Sequence, residues 1–421
     1  MHVALEQIAL RRRVPWRGRD REPQKQAVGG EGMDVVIGRP VVRVAPYRVG
    51  TDELIEDMRA RYAGHPKIEV WLRMLRHTGV EDRPWISPLH GTAARQGVRE
   101  RSRAAYEGAR ELAVAAAGGA LERAGLRARD VDLLVTTHTT SWTVPGLDVD
   151  LVGLLGLRPD VARIGLATVA CSGGGHALVH ATRFLRGRPG GGRALVVAAE
   201  QLSTLYNPAS GPPDMQAVLY GGLFGDSAAA AVVSAGAGEG SEGFVVDDVW
   251  EFVLPDSAGA YWGVIDANGL AFDSGPDAKR APGRVLPHLT EWLDGRPVDW
   301  AAVHPGGPGI ISGTLTGLGL DEEAAGRHAR ASLSHGNLGG AALLDVLDRT
   351  LAGDPVEGPG VAVAFGPGFT AAGLYLRDGR APEGRAARAP GDRAARTQGD
   401  RSARAPADRS AQPPGDSAAA G

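Results

Sequence analysis

The chain has 421 residues, 43% of them hydrophobic, with a formal net charge of −3 and a single cysteine. That length exceeds one ordinary core and predicts one large two-part unit or two domains, and the near-balanced charge offers no basic field to attract nucleic acid. One cysteine excludes an intrachain disulfide framework and suits a reducing cytoplasm; no apolar run reaches the roughly 18 residues of a membrane span, and the Arg-rich start lacks a signal peptide's apolar core.

Residues 1–34 are polar, with Arg11-Arg-Arg and Gly29-Gly, and carry no sustained periodicity; a disordered extension is expected. The folded part begins at Val35-Val-Ile, followed by helical character from Leu54 to Tyr62 and by the basic–apolar stretch Trp71 to Val80. Glu100 to Ala124 is Ala-rich at helical spacing, and Gly125 offers a stop. Val131 to Thr137 reads as a buried strand, His138 to Gly146 as a polar loop and Leu147 to Leu155 as a helix.

The stretch Arg163 to Leu185 is the one around which the rest is organised. A short apolar run ends at Cys171, Gly173-Gly-Gly follows, and Ala177, Leu178, Ala181 and Leu185 recur at helical spacing. This predicts strand, tight glycine turn, helix, with the sulfur at a helix N-terminus, where free N–H groups and the macrodipole favour a thiolate. A lone cysteine is more often a small buried hydrophobe; the glycine elbow, which clears space above the sulfur, shifts the reading toward a nucleophile. Arg193 to Glu200 is another continuous apolar strand, and Leu223-Phe-Gly-Asp-Ser-Ala-Ala-Ala-Ala-Val-Val gives a turn and a strand. Alternating strands and helices predict α/β layers around a buried sheet.

The same cadence returns in Trp300-Ala-Ala-Val-His304-Pro-Gly-Gly-Pro308 and in Gly360 to Tyr375, which suggests an internal duplication. His304 ends an apolar strand before a rigid loop, and Asn337 sits in Gly336-Asn337-Leu-Gly339-Gly340 at the entry to a helix. Taken singly, a strand-end His is usually structural and a loop Asn is usually a cap. Together with Cys171 they form a nucleophile, its partner and an amide donor for a thioester oxyanion. From Asp378 the composition turns to Arg, Ala, Pro, Gly and Asp in near repeats, so residues 379–421 are expected to be a disordered tail.

Val169-Ala-Cys171-Ser-Gly-Gly-Gly, Leu223-Phe-Gly-Asp-Ser-Ala-Ala-Ala, Leu254-Pro-Asp-Ser, Val303-His304-Pro-Gly-Gly-Pro, Gly336-Asn337 and Ala364-Phe-Gly-Pro-Gly368 together resemble the motifs of type III polyketide synthases, the chalcone-synthase-like branch of the thiolase superfamily. They span most of residues 35–377 in family order. The resemblance implies an α/β, thiolase-type, five-layered αβαβα fold with two internally similar halves, residues 35–245 carrying Cys171 and 246–378 carrying His304 and Asn337. It implies that Cys171 accepts an acyl starter from an acyl-CoA. His304 would keep the thiolate and, with Asn337, stabilise the enolate formed when malonyl-CoA, or an alkylmalonyl-CoA, loses CO2. Phe224 would lie over the cysteine and Phe272 at the gate between CoA tunnel and cavity, with Gly263, Leu205, Gly339, Thr139, Thr140 and Gly368 around the substrate. Arg73 and Gly307 would face CoA, and Val144 would reach across a homodimer interface toward the partner's cavity. No cofactor is implied beyond the CoA thioester substrates.

The chain departs from the plant pattern at Leu202 and Leu205, near the places of cavity threonines, at Gly339, where a small hydroxyl residue is usual, and at His77, where a lysine is common. These changes bear on the product, phenolic or pyrone, more than on the chemistry. Two other readings stay open: a single-condensation enzyme like ketoacyl-ACP synthase III, and a catalytically silent scaffold. The Pro305-Gly-Gly-Pro308 and Phe365-Gly-Pro-Gly368 motifs favour iterative condensation over the former, and joint retention of three polar residues argues against the latter.

Overall fold

A computed structural model describes residues 33–236 and 242–380; the two expected disordered segments lie almost wholly outside them. The strands are Val35–Gly38 (β1), Val41–Val44 (β2), Tyr47–Gly50 (β3), Asp82–Trp85 (β4), Leu133–Thr137 (β5), Ala162–Leu166 (β6), Gly192–Glu200 (β7), Ser227–Ala235 (β8), Gly243–Val253 (β9), Tyr261–Asp266 (β10), Gly269–Ser274 (β11), Trp300–Val303 (β12), Pro359–Gly366 (β13) and Thr370–Asp378 (β14). The helices are Thr51–Arg61 (α1), Ile68–Arg76 (α2), Leu89–Ala94 (α3), Gly97–Arg123 (α4), Leu147–Leu155 (α5), Gly173–Arg186 (α6), Met215–Leu223 (α7), Ala281–Leu293 (α8), Pro308–Gly317 (α9), Glu322–Leu333 (α10) and Ala342–Ala352 (α11).

Ten strands form one mixed sheet in the order β12-β13-β14-β9-β1-β8-β7-β5-β6, with β2 on β8. Its two arms share a pattern. In one, β5 runs parallel to β6 and β7, and β8 returns antiparallel to β7; in the other, β12 and β13 are parallel and β14 returns antiparallel to β13. β1 pairs with both β8 and β9 and joins the arms.

Continuous apolar runs make these strands, because both faces are covered. Ala194 to Ala199 of β7 and Ala228 to Ala231 of β8 have no exposed surface. Each buried Val or Leu there contributes roughly 1.5–3 kcal/mol of transfer free energy. The Ala-rich reading of Glu100 to Ala124 has a packing counterpart: Ala105, Ala109, Ala113, Ala116 and Ala117 of α4 are fully buried, and α4 lies on β7 and β8, where alanines on both surfaces permit close approach. Helix α6 packs on β5, β7 and β8 of one arm and on β9, β13 and β14 of the other, so the nucleophile's helix lies between the arms. Helix α11 contacts β8, β12 and β13. Trp292 of α8 stacks on Trp250 of β9 at 5.8 Å between ring centroids, and α9 and α10 pack on β12.

The stretch around Cys171 differs from its expected form. β6 ends at Leu166, Thr168 and Ala170 take left-handed backbone angles (φ 64° and 45°), and Cys171 lies in a short 3-10 turn, Ala170–Ser172. The three glycines form the first turn of α6 rather than a separate elbow. A Cβ on Gly173 would stand 2.2 Å from Thr137 Oγ1, one on Gly174 2.4 Å from the Gly340 carbonyl oxygen, and one on Gly175 2.8 Å from Ala364 Cβ. Their role is close approach: they let the helix start seat against β5, β13 and the turn after Asn337.

Candidate active site

Cys171, His304 and Asn337 line one cavity of about 80 Å³. The half-buried thiol faces it from the turn that opens α6. That turn is fixed on both sides: Thr139 Oγ1 accepts from Ala170 N at 3.1 Å, and Ser172 Oγ bonds Thr370 Oγ1 of β14 at 3.0 Å.

His304 follows the last residue of β12, and its backbone N–H donates to Val363 O at 2.9 Å, so the parallel β12–β13 ladder sets its place. It is 2% exposed, and its Nδ1 is buried without a hydrogen-bond partner among the described residues; no carboxylate holds this imidazole. Asn337 is held three ways. Its backbone N–H donates to Leu223 O at 2.9 Å, its carbonyl accepts from Gly225 N at 3.1 Å, and its side-chain Oδ1 accepts from Gly339 N at 2.9 Å. With the oxygen occupied, Nδ2 is the end turned to the site, 3.9 Å from Cys171 Sγ. The backbone at Gly336 and Gly339 runs at φ 83° and 59°, which glycine adopts without strain.

Burial pushes the Cys171 thiol up to about 12, with the nearby Glu200 carboxyl adding to it and the Asn337 N–H working against it. Burial pushes the His304 imidazole down to about 4. Burial therefore works against either charge alone. Proton transfer from sulfur to imidazole creates both charges at once, and each then offsets the other's desolvation.

Phe224 lies in the same wall, 5% exposed, in a β-bridge with Asn337, and its carbonyl accepts from Trp85 Nε1 at 3.1 Å. Phe272 lines the cavity from β11, with ring centroids 6.4 Å from Phe224. Gly263 pairs with Phe272 across the β10–β11 hairpin, where a Cβ would stand 2.7 Å from the ring. Leu205 is buried with Leu202 and Phe224 in the apolar cluster that Cys171 packs against. A Cβ on Gly339 would meet Leu202 Cδ1 at 2.7 Å. Thr139 and Thr140 donate their backbone N–H groups to Glu200 Oε2 at 3.0 and 3.2 Å, and Thr140 also lines a second, larger cavity. Gly368 sits in the β13–β14 turn, its carbonyl accepting from Ser257 Oγ at 2.7 Å, while its neighbours Pro367 and Phe369 line the cavity. Arg73 is exposed in the last turn of α2, and Gly307 precedes α9; neither lines the Cys171 cavity. Val144 is 92% exposed.

Sequence reasoning missed several members. Tyr220, Tyr261 and Phe369 complete the apolar wall. Glu200 is 1% exposed, its carboxyl raised to about 7 by burial against the pull of the Thr139 and Thr140 donors, and its Oε1 lacks a partner among the described residues. The one available signal was a glutamate ending the apolar run Ala194 to Ala199. Among the described residues no cluster of His, Cys, Asp and Glu could hold a metal.

Thiol, imidazole and amide around an apolar chamber suit acyl transfer with oxyanion stabilisation. Residues 84–237 match the family described as chalcone and stilbene synthases, N-terminal domain. A 1,3,6,8-tetrahydroxynaphthalene synthase of Streptomyces coelicolor is 32% identical over 345 residues, 79% of this chain and 89% of that one, and its crystal structure superposes with a TM-score of 0.76 over 81% and 99% of the two chains. The germicidin synthase of the same organism, a type III polyketide synthase, is 28% identical over 82% of this chain and 99% of its own, with a TM-score of 0.76. A CsyB structure complexed with CoA-SH shares the fold, at 23% identity and a TM-score of 0.73 over 82% and 100%. Motifs, fold and these likenesses agree, and the chain belongs to the type III polyketide synthases of the chalcone and stilbene synthase family.

Proposed function

We propose that this type III polyketide synthase loads an acyl starter from acyl-CoA onto Cys171 and extends it iteratively with malonyl-CoA or an alkylmalonyl-CoA, releasing a cyclised phenolic or pyrone product. The observation that carries the reading is the meeting of Cys171, His304 and Asn337 in one apolar cavity. In loading, Sγ attacks the thioester carbonyl as its proton passes to His304, the bond from the carbonyl carbon to the CoA sulfur breaks, and His304 returns the proton to that sulfur, so CoA leaves as the thiol. In extension, the malonyl C–C bond breaks to give CO2 and an enolate. The charge on the thioester oxygen is met by N–H donors of His304 and Asn337, in a site that gives such donors more weight than water would. The enolate carbon then attacks the acyl-Cys171 carbonyl, a C–C bond forms, and the thiolate leaves.

Phe224 and Phe272 would shape the chamber, with Leu205, Gly263, Gly339, Thr139, Thr140 and Gly368 forming or backing its walls and Arg73 and Gly307 serving the CoA side. The two arms of the sheet, with α6 and α11 between them, α4 outside one and α8 to α10 outside the other, support a five-layered arrangement of two similar halves, residues 35–245 and 246–378. A homodimer is supported by Trp142 and Val144, 69% and 92% exposed on one loop, and by β6, which among the described residues is an edge strand paired on one side only. No helix among the described residues is long and apolar enough to cross a membrane, and the cytoplasm is the compartment proposed.

Incubation with malonyl-CoA alone and with a panel of acyl-CoAs, followed by mass spectrometry, tests the reading. Polyketides longer than one condensation are expected; products of a single condensation only would favour an enzyme of the ketoacyl-ACP synthase III type.

A further inference from the structure

Asn337 is held in place by the backbone of residues 223–225, and that strip has two sides. In an extended chain successive residues turn their N–H and C=O groups in opposite directions. Leu223 O accepts from Asn337 N at 2.9 Å and Gly225 N donates to Asn337 O at 3.1 Å, so the bonds of these two residues face the asparagine. Phe224, between them, is extended (φ −102°, ψ 148°), and its carbonyl points the other way, into the buried interior.

There it meets Trp85 of β4. The indole Nε1 donates to Phe224 O at 3.1 Å, and Trp85 has no exposed surface. The neighbours of Trp85 fasten the next part of the strip: Asp226 N donates to Pro84 O at 2.7 Å, and Ile86 N donates to Asp226 Oδ2 at 2.8 Å. The two backbones lie close, since a Cβ on Gly225 would stand 2.8 Å from Pro84 Cδ. The indole is fixed in turn by a buried apolar cluster with Leu54, Leu72, Leu75 and Tyr206, whose ring centroid lies 5.6 Å away. No member of that cluster lines the Cys171 cavity, so Trp85 touches the site only through the Phe224 carbonyl.

We propose that Trp85 is a positioning residue for decarboxylation: from behind the strip, its indole N–H fixes the Phe224 carbonyl and so the placing of the Asn337 amide that meets the enolate oxygen. The inference rests on the enolate role proposed for Asn337. Without that donor the strip keeps its bonds to Asn337 and loses its rear anchor, and the buried carbonyl left unpaired is drawn toward any other donor. A displacement of roughly 0.5 Å at the amide is enough to lose productive geometry. Cys171 is anchored elsewhere. Its turn is tied to Thr139 and Thr370, and among the described residues no hydrogen bond of the Ala170–Ser172 backbone goes to residues 223–225. Loss of the indole donor therefore acts on one step of the reaction and spares the other.

The test compares two initial rates of the full chain: CO2 release from malonyl-CoA, and acylation of Cys171 by butyryl-CoA read by intact mass spectrometry. Trp85→Phe keeps a ring and removes the donor. It is expected to lower kcat for CO2 release roughly three- to tenfold, what one neutral hydrogen bond is worth, with KM for malonyl-CoA and the acylation rate within about twofold of the parent. Tyr206→Phe removes a hydroxyl bond to Asp57 from the same cluster without touching Phe224 O, and should leave both rates within about twofold. Added to Asn337→Ala, Trp85→Phe should change CO2 release by less than about twofold, because the amide through which it acts is gone. Trp85→Met, flexible and without a donor, serves if the phenylalanine variant does not fold. Parental CO2 release in a folded Trp85 variant, an equal fall in both rates, the same split from Tyr206→Phe, or a full additional loss on top of Asn337→Ala would overturn the positioning role while leaving the proposed function standing. Asn337→Ala that releases CO2 at the parent rate would overturn the enolate role and this inference together.

Discussion

Asn337 shows how much of the site is held by backbone. Its amide oxygen is taken by Gly339 N and its main chain is bridged to the Phe224 segment, so its N–H end is presented to the chamber before any substrate arrives. Pre-set donors of this kind are worth most where charge develops late, and removing one costs roughly two to three orders of magnitude in rate. Asn337→Ala should therefore lower malonyl-CoA decarboxylation by about that factor while Cys171 still becomes acylated. Cys171→Ala should abolish acylation and keep some decarboxylation, and His304→Ala should impair both, since it removes the thiol's proton acceptor and a donor together. Condensation at the parent rate by Asn337→Ala would refute the role given to the amide. Glu200 yields a pH prediction. Its folded-state value, about 7, lies above the ordinary carboxylate range, so the unfolded chain ionises first as pH rises. The native state then binds more protons than the unfolded one, and stability is lost between the ordinary range, near 4.5, and about pH 7. Glu200→Gln removes that loss: its melting temperature relative to the parent should be more favourable at pH 8 than at pH 5. A difference independent of pH would show that Glu200 does not ionise within this window.

At the scale of elements, the start of α6 is where packing constrains the sequence most tightly. The neighbour of Gly174 is a backbone carbonyl, Gly340 O, which cannot swing aside as a side chain can. Gly174→Ala should cost about 2 kcal/mol or more in urea unfolding, as overpacking in a rigid region does. Because Gly340 lies three residues after Asn337, turnover should fall by more than the lost stability explains. Ordinary stability with full turnover would mean the turn relaxes freely. Periodicity and caps made most elements legible: Leu147–Leu155 coincides with its expected span, and Gly97–Arg123 and Gly192–Glu200 come within a few residues. The Cys171 turn was the exception. A glycine triplet after a strand signals a turn locally, but here it serves helix packing between two arms that no local window contains.

At the scale of the molecule, Trp142 and Val144 are exposed among the described residues on a loop whose neighbours are threonines, and among those residues β6 has a strand partner on one side only. Water contact with such side chains is unfavourable, and association through this face removes it. Sedimentation at micromolar concentration should give a dimer mass, and Trp142→Ser with Val144→Ser should shift the equilibrium toward monomer. A monomer for the parent would place the burial of these residues elsewhere. The meeting of Cys171, His304 and Asn337, the α/β grammar and the family were readable in the sequence alone, because thiol, imidazole and amide each sit in a short motif whose place in the chain is distinctive. What the sequence could not decide was what surrounds them. Glu200 beside the thiol, the burial that works against charge on Cys171 and His304, and the bridge between Asn337 and the Phe224 segment all depend on segments far apart in the chain. Burial, dielectric and hydrogen-bond geometry are properties of the assembled interior, and only the tertiary structure brings those segments into contact.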